Sequence, residues 1–150
     1  MYQENKGFTL IEILIVITIL GILSLMVGFS YITLLTHINV DTSNQDIYSI
    51  VKKAQDNAMN NLDGYSQYGV EFQNNEVILF PGGSYSPSNS NNDIYYLLPE
   101  VTLYNLSPTD NNPIVFNSVN GQLTNTGVSF DIGNPTYFIQ MNINNNGAVY

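Results

Sequence analysis

The chain has 150 residues, with 12 Asp and Glu against 3 Lys and Arg, a formal net charge of −9, one His and no Cys. That balance argues against direct capture of nucleic acid or of anionic lipid surfaces, which call for basic patches. It also leaves thiol chemistry, disulfides and His-based catalytic or metal constellations without their parts.

In chain order, the first signal is an apolar run reaching Leu35, with no charged side chain over residues 13–35. At about 1.5 Å per residue this is roughly 34 Å of helix, enough to cross a bilayer core of about 30 Å. Glu12 stands near its start, and a carboxylate toward a bilayer interior costs on the order of 2.5 to 3.5 kcal/mol. Either it snorkels to the headgroups or it has a partner.

The residues before it, Lys6-Gly7-Phe8-Thr9-Leu10-Ile11-Glu12, resemble the processing site of type IV prepilins and pseudopilins. The resemblance implies a membrane peptidase and methyltransferase that reads a leader ending in Lys6-Gly7, cuts after Gly7 on the cytoplasmic side and methylates the new amino terminus at Phe8. Unlike an ordinary secretory signal, the apolar segment survives cleavage. The resemblance further assigns Glu12 to the amino terminus of a neighbouring subunit in the filament. Phe8 and Glu12 are four apart, which on a helix is one face and about 6 Å along the axis. An unpaired buried charge is costly and a paired one tolerable, so assembly would relieve a charge carried in lipid.

Lys6 precedes the span and Asp41 and Asp46 follow it, so the amino terminus is expected to face the cytoplasm, with the remainder outside the inner membrane and then on a filament. No proline occurs before Pro81, so the helix-loosening proline that many pilins carry near the position of Phe29 has no counterpart here. The absence of Cys departs from pilins that close a C-terminal loop with a disulfide.

Beyond the span, Ile47, Ile50, Val51, Ala54 and Ala58 recur at helical spacing, with Leu62 next in the series. One helix is expected over 8–61, with Asp63-Gly64 ending it. Residues 68–72 and 76–80 read as a hairpin about Asn74-Asn75, on the ground that Asn tolerates positive φ. Residues 81–93 and 107–113 read as exposed loops, and 94–98, 101–104, 114–116, 128–132, 137–143 and 148–150 as further strands of a meander. The expected division is a leader at 1–7, a transmembrane or filament-core helix at 8–35, an amphipathic continuation at 36–62 and an antiparallel β domain at 63–150. With residues 1–35 set aside, about 115 remain, enough for one modest core. The fold class is α+β and pilin-like, a long N-terminal helix packed on antiparallel sheet.

The arrangement Gly69-Val70-Glu71-Phe72, Ile114-Val115-Phe116 with Gly121, and Ile143 with Gly147 is similar to the H-type minor pseudopilins and their pilus counterparts. Glu71, Glu76, Glu100 and Asp131 could in principle form an acid and base pair, but scattered acids on strands are usually solvent-facing, and the loop acids near Ser88 and Asp110 lack the calcium-loop spacing. No enzyme activity, cofactor or metal is expected.

The resulting expectation is a structural subunit whose partners are other pilin or pseudopilin subunits, the prepilin peptidase, an inner-membrane assembly platform and, before assembly, lipid. A minor, assembly-initiating subunit is preferred over a major pilin. A binding module is the remaining alternative, with loops 81–93 and 107–113 and Tyr85, Tyr95, Tyr96 and Tyr104 at a filament tip.

Overall fold

A computed structural model describes residues 7–108 and 112–150, and all side chains among them except those of residues 26–30. Lys6, Asp110 and Asn111 lie outside the described residues. One helix, α1, spans Leu10–Met59. The chain divides into two compact units, Met1–Leu35 and Thr36–Tyr150.

In the first unit, apolar residues occupy every side of the helix, so no face is polar enough to prefer water. The described side chains stand open, with Leu10 87%, Ile15 50% and Leu20 57% exposed. The hydroxyls of Thr18 and Ser24 donate back to the carbonyls of Leu14 and Leu20, at 2.7 and 2.8 Å, so these two polar groups are satisfied within the helix. On the described residues alone, no helix is long and apolar enough to cross a membrane. The longest unbroken stretch of described side chains in this unit's apolar run ends at residue 25, so that from residue 10 it covers about 24 Å of helix, and the described side chains resume at residue 31.

In the second unit the helix is amphipathic. Val40, Ile47, Val51, Ala54 and Ala58 are wholly buried, Ile50 nearly so, and Ser43 shares their face. This stripe begins about two turns earlier than the apolar spacing indicated, because Val40 stands between Asn39 and Asp41 and the next buried position is Ser43. Its other limit also differs: Leu62 is 44% exposed. Asn61 takes a left-handed conformation (φ 47°) and stops α1 before Asp63-Gly64, which fall in a short 3-10 turn, Leu62–Gly64.

Seven strands follow: β1 Gln67–Gln73, β2 Glu76–Pro81, β3 Asp93–Tyr96, β4 Thr102–Ser107, β5 Ile114–Asn117, β6 Val128–Gly133 and β7 Phe138–Ile143. They form two antiparallel sheets rather than one meander, a four-stranded sheet in the order β3-β2-β1-β5 and a three-stranded sheet in the order β4-β6-β7. β5 therefore returns to pair with β1 while β4 pairs with β6. The α1 stripe and the inner faces of both sheets share one core, in which Phe72 of β1 meets Phe130 of β6 at 4.7 Å between ring centres.

The β1–β2 hairpin closes at Asn74-Asn75, but neither residue has positive φ. Its turn is held from outside: the Asn75 carbonyl accepts from Leu97 N (3.0 Å) and that of Asn74 from Leu103 N (2.8 Å). Residues 148–150 do not form a strand. Gly147 turns at φ 73°, and Val149 makes a single bridge to Ile143.

With no disulfides, many loops are tied by asparagine side chains. The Asn112 amide imitates a strand neighbour of Phe72, accepting from its N–H and donating to its carbonyl, both at 2.9 Å. Asn134, Asn144 and Asn145 accept from backbone N–H groups of residues 136–137, 146 and 148, and 127.

β2 is buried on both faces. Val77 and Leu79 join the core, while Phe80 lies over Gly69 of β1 and against Tyr85, which the following loop folds back. A Cβ at position 69 would overlap the Phe80 ring. Gly69→Ala is therefore expected to lower stability by about 1–3 kcal/mol through overpacking, measured as the melting temperature of the full chain in detergent.

Burial pushes the carboxyl of Glu71 above its ordinary value. A raised carboxyl binds protons more readily in the folded chain than in the unfolded one, so its contribution turns unfavourable as pH rises through the interval between the two values. Glu71→Gln should thus gain stability over the parent chain at neutral pH. Thermal melts across pH should show that advantage vanish below the unfolded carboxylate range.

Candidate processing and assembly site

The site begins where regular structure does. Gly7 and Phe8 precede α1, both exposed, and a Cβ at Gly7 would meet nothing within 4 Å. The described chain has room for a larger residue there, and the Gly7–Phe8 peptide is exposed.

Thr9 caps the helix. Its carbonyl accepts from Ile13 N (3.3 Å), and its hydroxyl oxygen accepts from Glu12 N (3.3 Å). In return, Glu12 Oε2 accepts from Thr9 N (2.8 Å) and from the Thr9 hydroxyl (2.9 Å). This reciprocal arrangement is a capping box, which satisfies backbone donors that a helix start otherwise leaves bare. A carboxylate in the first turn also faces the positive end of the helix dipole. The sequence carries the signal, Thr-x-x-Glu ahead of an apolar run, which charge considerations alone do not reveal. Within the described chain Glu12 is thus engaged by Thr9. Phe8 lies outside the helix, so helical four-residue spacing does not join it to Glu12.

The other candidate residues are scattered. His37 stacks on Tyr137 at 3.9 Å between ring centres, and the Tyr137 hydroxyl donates to Asp41 Oδ1 (3.3 Å), contacts that tie α1 to β7's approach. Lys53 donates to Tyr95 Oη (2.8 Å) and Asp93 Oδ2 (3.0 Å), which together hold its ammonium above its ordinary value, the tyrosine contributing most. Lys52 donates to Gln55 Oε1 and the Gly147 carbonyl. Asp131 is buried, with Oδ2 accepting from Asn105 Nδ2 (2.7 Å) and Oδ1 without a partner. No hydrogen bond joins any two of Glu71, Glu76, Glu100 and Asp131. No group of three potential metal-binding side chains occurs among the described residues. Of the loop-proximal tyrosines, Tyr85 packs on Phe80, Tyr95 receives Lys53, and Tyr104 donates to the Asn134 carbonyl (3.4 Å). Tyr96 remains 76% exposed.

Residues 3–28 match the family described as the prokaryotic N-terminal methylation motif. No curated protein matches the chain. Among solved structures, the type IV minor pilin FimU of Pseudomonas aeruginosa is similar at a TM-score of 0.59 and 12% identity, over 77% of this chain and 90% of that one. The chain shares the pilin fold and carries the N-terminal methylation motif. At that identity the likeness to FimU establishes the pilin fold, while the motif lies on the same residues as the capping box and the exposed Gly7–Phe8 bond.

For this pilin-like chain, Thr9→Ala should remove the two bonds made by the hydroxyl, leaving only the backbone N–H of residue 9 on Glu12, and cost helix stability of about 0.5–2 kcal/mol. Amide exchange of residues 9–13 in detergent micelles should accelerate in Thr9→Ala and stay near the parent rate in Thr9→Ser.

Proposed function

We propose that the protein is a minor structural subunit of a type IV pilus or of a type II secretion-type pseudopilus, of the H-type branch, that initiates assembly or lies near the filament tip. The observation that carries this reading is a methylation-motif start leading directly into an apolar helix whose described side chains are exposed, joined in sequence to a folded pilin domain. Such a surface is costly in water, at about 25 cal/mol per Å2 of apolar area, and needs lipid or other helices around it.

In this reading the prepilin peptidase recognises the leader through Lys6 and Gly7, cuts before Phe8 and methylates its nitrogen. Residues 8–35 then span the inner membrane with the amino terminus cytoplasmic. The continuing apolar sequence through residues 26–35 supports a span longer than the described side chains alone make. On assembly the helix leaves lipid for a core of other subunits' helices, drawn by the platform, and Glu12 meets the amino terminus of a neighbour. Head-to-tail repetition of one contact builds an open helix. That FimU is a minor pilin favours the minor assignment. The protein acts as a structural part and performs no catalysis.

Quantitative mass spectrometry of sheared filaments and of residual membranes should find a peptide beginning at methylated Phe8, as a trace component of the filaments. A dominant share would make this a major pilin, and membrane copies that all begin before Gly7 would end the prepilin reading. Glu12→Ala should be processed normally and incorporated poorly. Equal incorporation of variant and parent would remove the pairing role from Glu12.

A further inference from the structure

The two sheets have four outer edges, and three are covered by the chain itself. Beside β5, Thr124 N donates to the Val115 carbonyl (2.8 Å) and Asn117 N to that of Gln122 (3.0 Å). Beside β7, Asn142 and Tyr150 exchange hydrogen bonds at 2.9 and 3.0 Å. β4 donates from Leu103 to the Asn74 carbonyl and shifts register between Tyr104 and Ser107, where Asn105 has positive φ.

β3 differs. Its pairing partner is β2, and no other backbone bond to Asp93–Tyr96 is made among the described residues. Sheet proteins blunt such edges with proline, lysine or a bulge. The strand Asp93-Ile94-Tyr95-Tyr96 is short and has a charge at its first residue, Asp93, which Lys53 neutralises, but it carries no proline, lysine or bulge and leaves Ile94 48% and Tyr96 76% exposed. A groove of about 460 Å3 lies between this strand and α1, lined by Asp46 and Ile50 on the helix and by Ile94, Tyr96 and Leu97. A second hollow is lined by Tyr96 and by Glu76, its register partner on β2.

Charge selects the occupant. The carboxylates of Asp46 and Glu76 have no cationic partner among the described residues, where the one ion pair is Lys53 with Asp93. Lys52 and Lys53 are both engaged within their own chain. A second copy would therefore bring acids to acids and offer no described free cation, an arrangement that costs rather than binds. We propose that the open edge of β3 is a strand-addition site for an extended, basic segment of a different polypeptide, with apolar residues alternating with Lys or Arg. Backbone bonds to β3 would supply affinity, while Ile94 and Tyr96 take the apolar side chains and Asp46 and Glu76 the basic ones. The inference rests on the sheet edge, independently of filament assembly, so it stands or falls whatever becomes of Glu12.

The test uses the full chain in detergent micelles and a synthetic peptide of about eight residues, a common strand length, alternating Val and Lys. Hydrogen exchange should slow at residues 93–97 on peptide addition. The same peptide N-methylated on alternate backbone nitrogens, a Val-Glu peptide, and the double variant Asp46→Asn/Glu76→Gln should each bind at least roughly tenfold more weakly, about 1.4 kcal/mol. Equal binding by the N-methylated peptide, equal binding by the Val-Glu peptide, or protection confined to other residues would overturn strand addition by a basic segment. Protection of residues 93–97 that grows with protein concentration in the absence of peptide would overturn it in favour of self-pairing.

Discussion

The domain depends on one constraint: a single helical face must be covered by two sheets that are too small to make a core separately. The side chains from Val40 to Ala58 on that face are buried to within a few per cent, and burying a Val or Ile contributes about 1.5–3 kcal/mol. The three-stranded sheet meets the four-stranded one through this shared interior, through the Phe72–Phe130 contact and through the Asn74 carbonyl that receives Leu103. A change that tilted the stripe would loosen both sheets together, since neither has another large apolar partner. In the same helix upstream of Leu35 the described apolar side chains stand exposed.

The capping box alters how the charge of Glu12 is understood. A carboxylate at the start of an apolar helix is usually regarded as a group in want of a partner. Here it already accepts two hydrogen bonds from Thr9, which lowers the cost of carrying it before any neighbour arrives. In the proposed filament, an incoming ammonium would have to share or displace those bonds. Selection by charge pairing would then be graded by how readily Thr9 lets go.

The helix and the strand content were legible because they rest on local periodicity: Ile47, Ile50, Val51, Ala54 and Ala58 at helical spacing, and alternating or continuous apolar runs in β1, β2, β6 and β7. The methylation motif was legible for the same reason, being contiguous. What escaped was what depends on distant partners. The pairing of β5 with β1 rather than β4 is a long-range choice that no local pattern records. Asn74-Asn75 suggested a turn by its positive-φ tolerance, yet the turn is fixed by donors more than twenty residues away. Leu62 continued the apolar spacing but lay beyond the left-handed Asn61, whose conformation is decided by helix termination rather than by hydrophobicity. Thr9, by contrast, was readable and was missed because the reading there followed charge alone.

The asparagine ties have a consequence for where this domain can mature. Its loops are closed by uncharged amides on backbone groups, with no cysteine anywhere in the chain. Closure of that kind requires no oxidant and no isomerase to sort thiols, and it responds little to ionic strength, since neutral hydrogen bonds are not screened as ion pairs are. The domain can reach the same covalent end state in a reducing compartment as in an oxidising one, which separates its folding from the redox machinery that disulfide-closed secreted domains require.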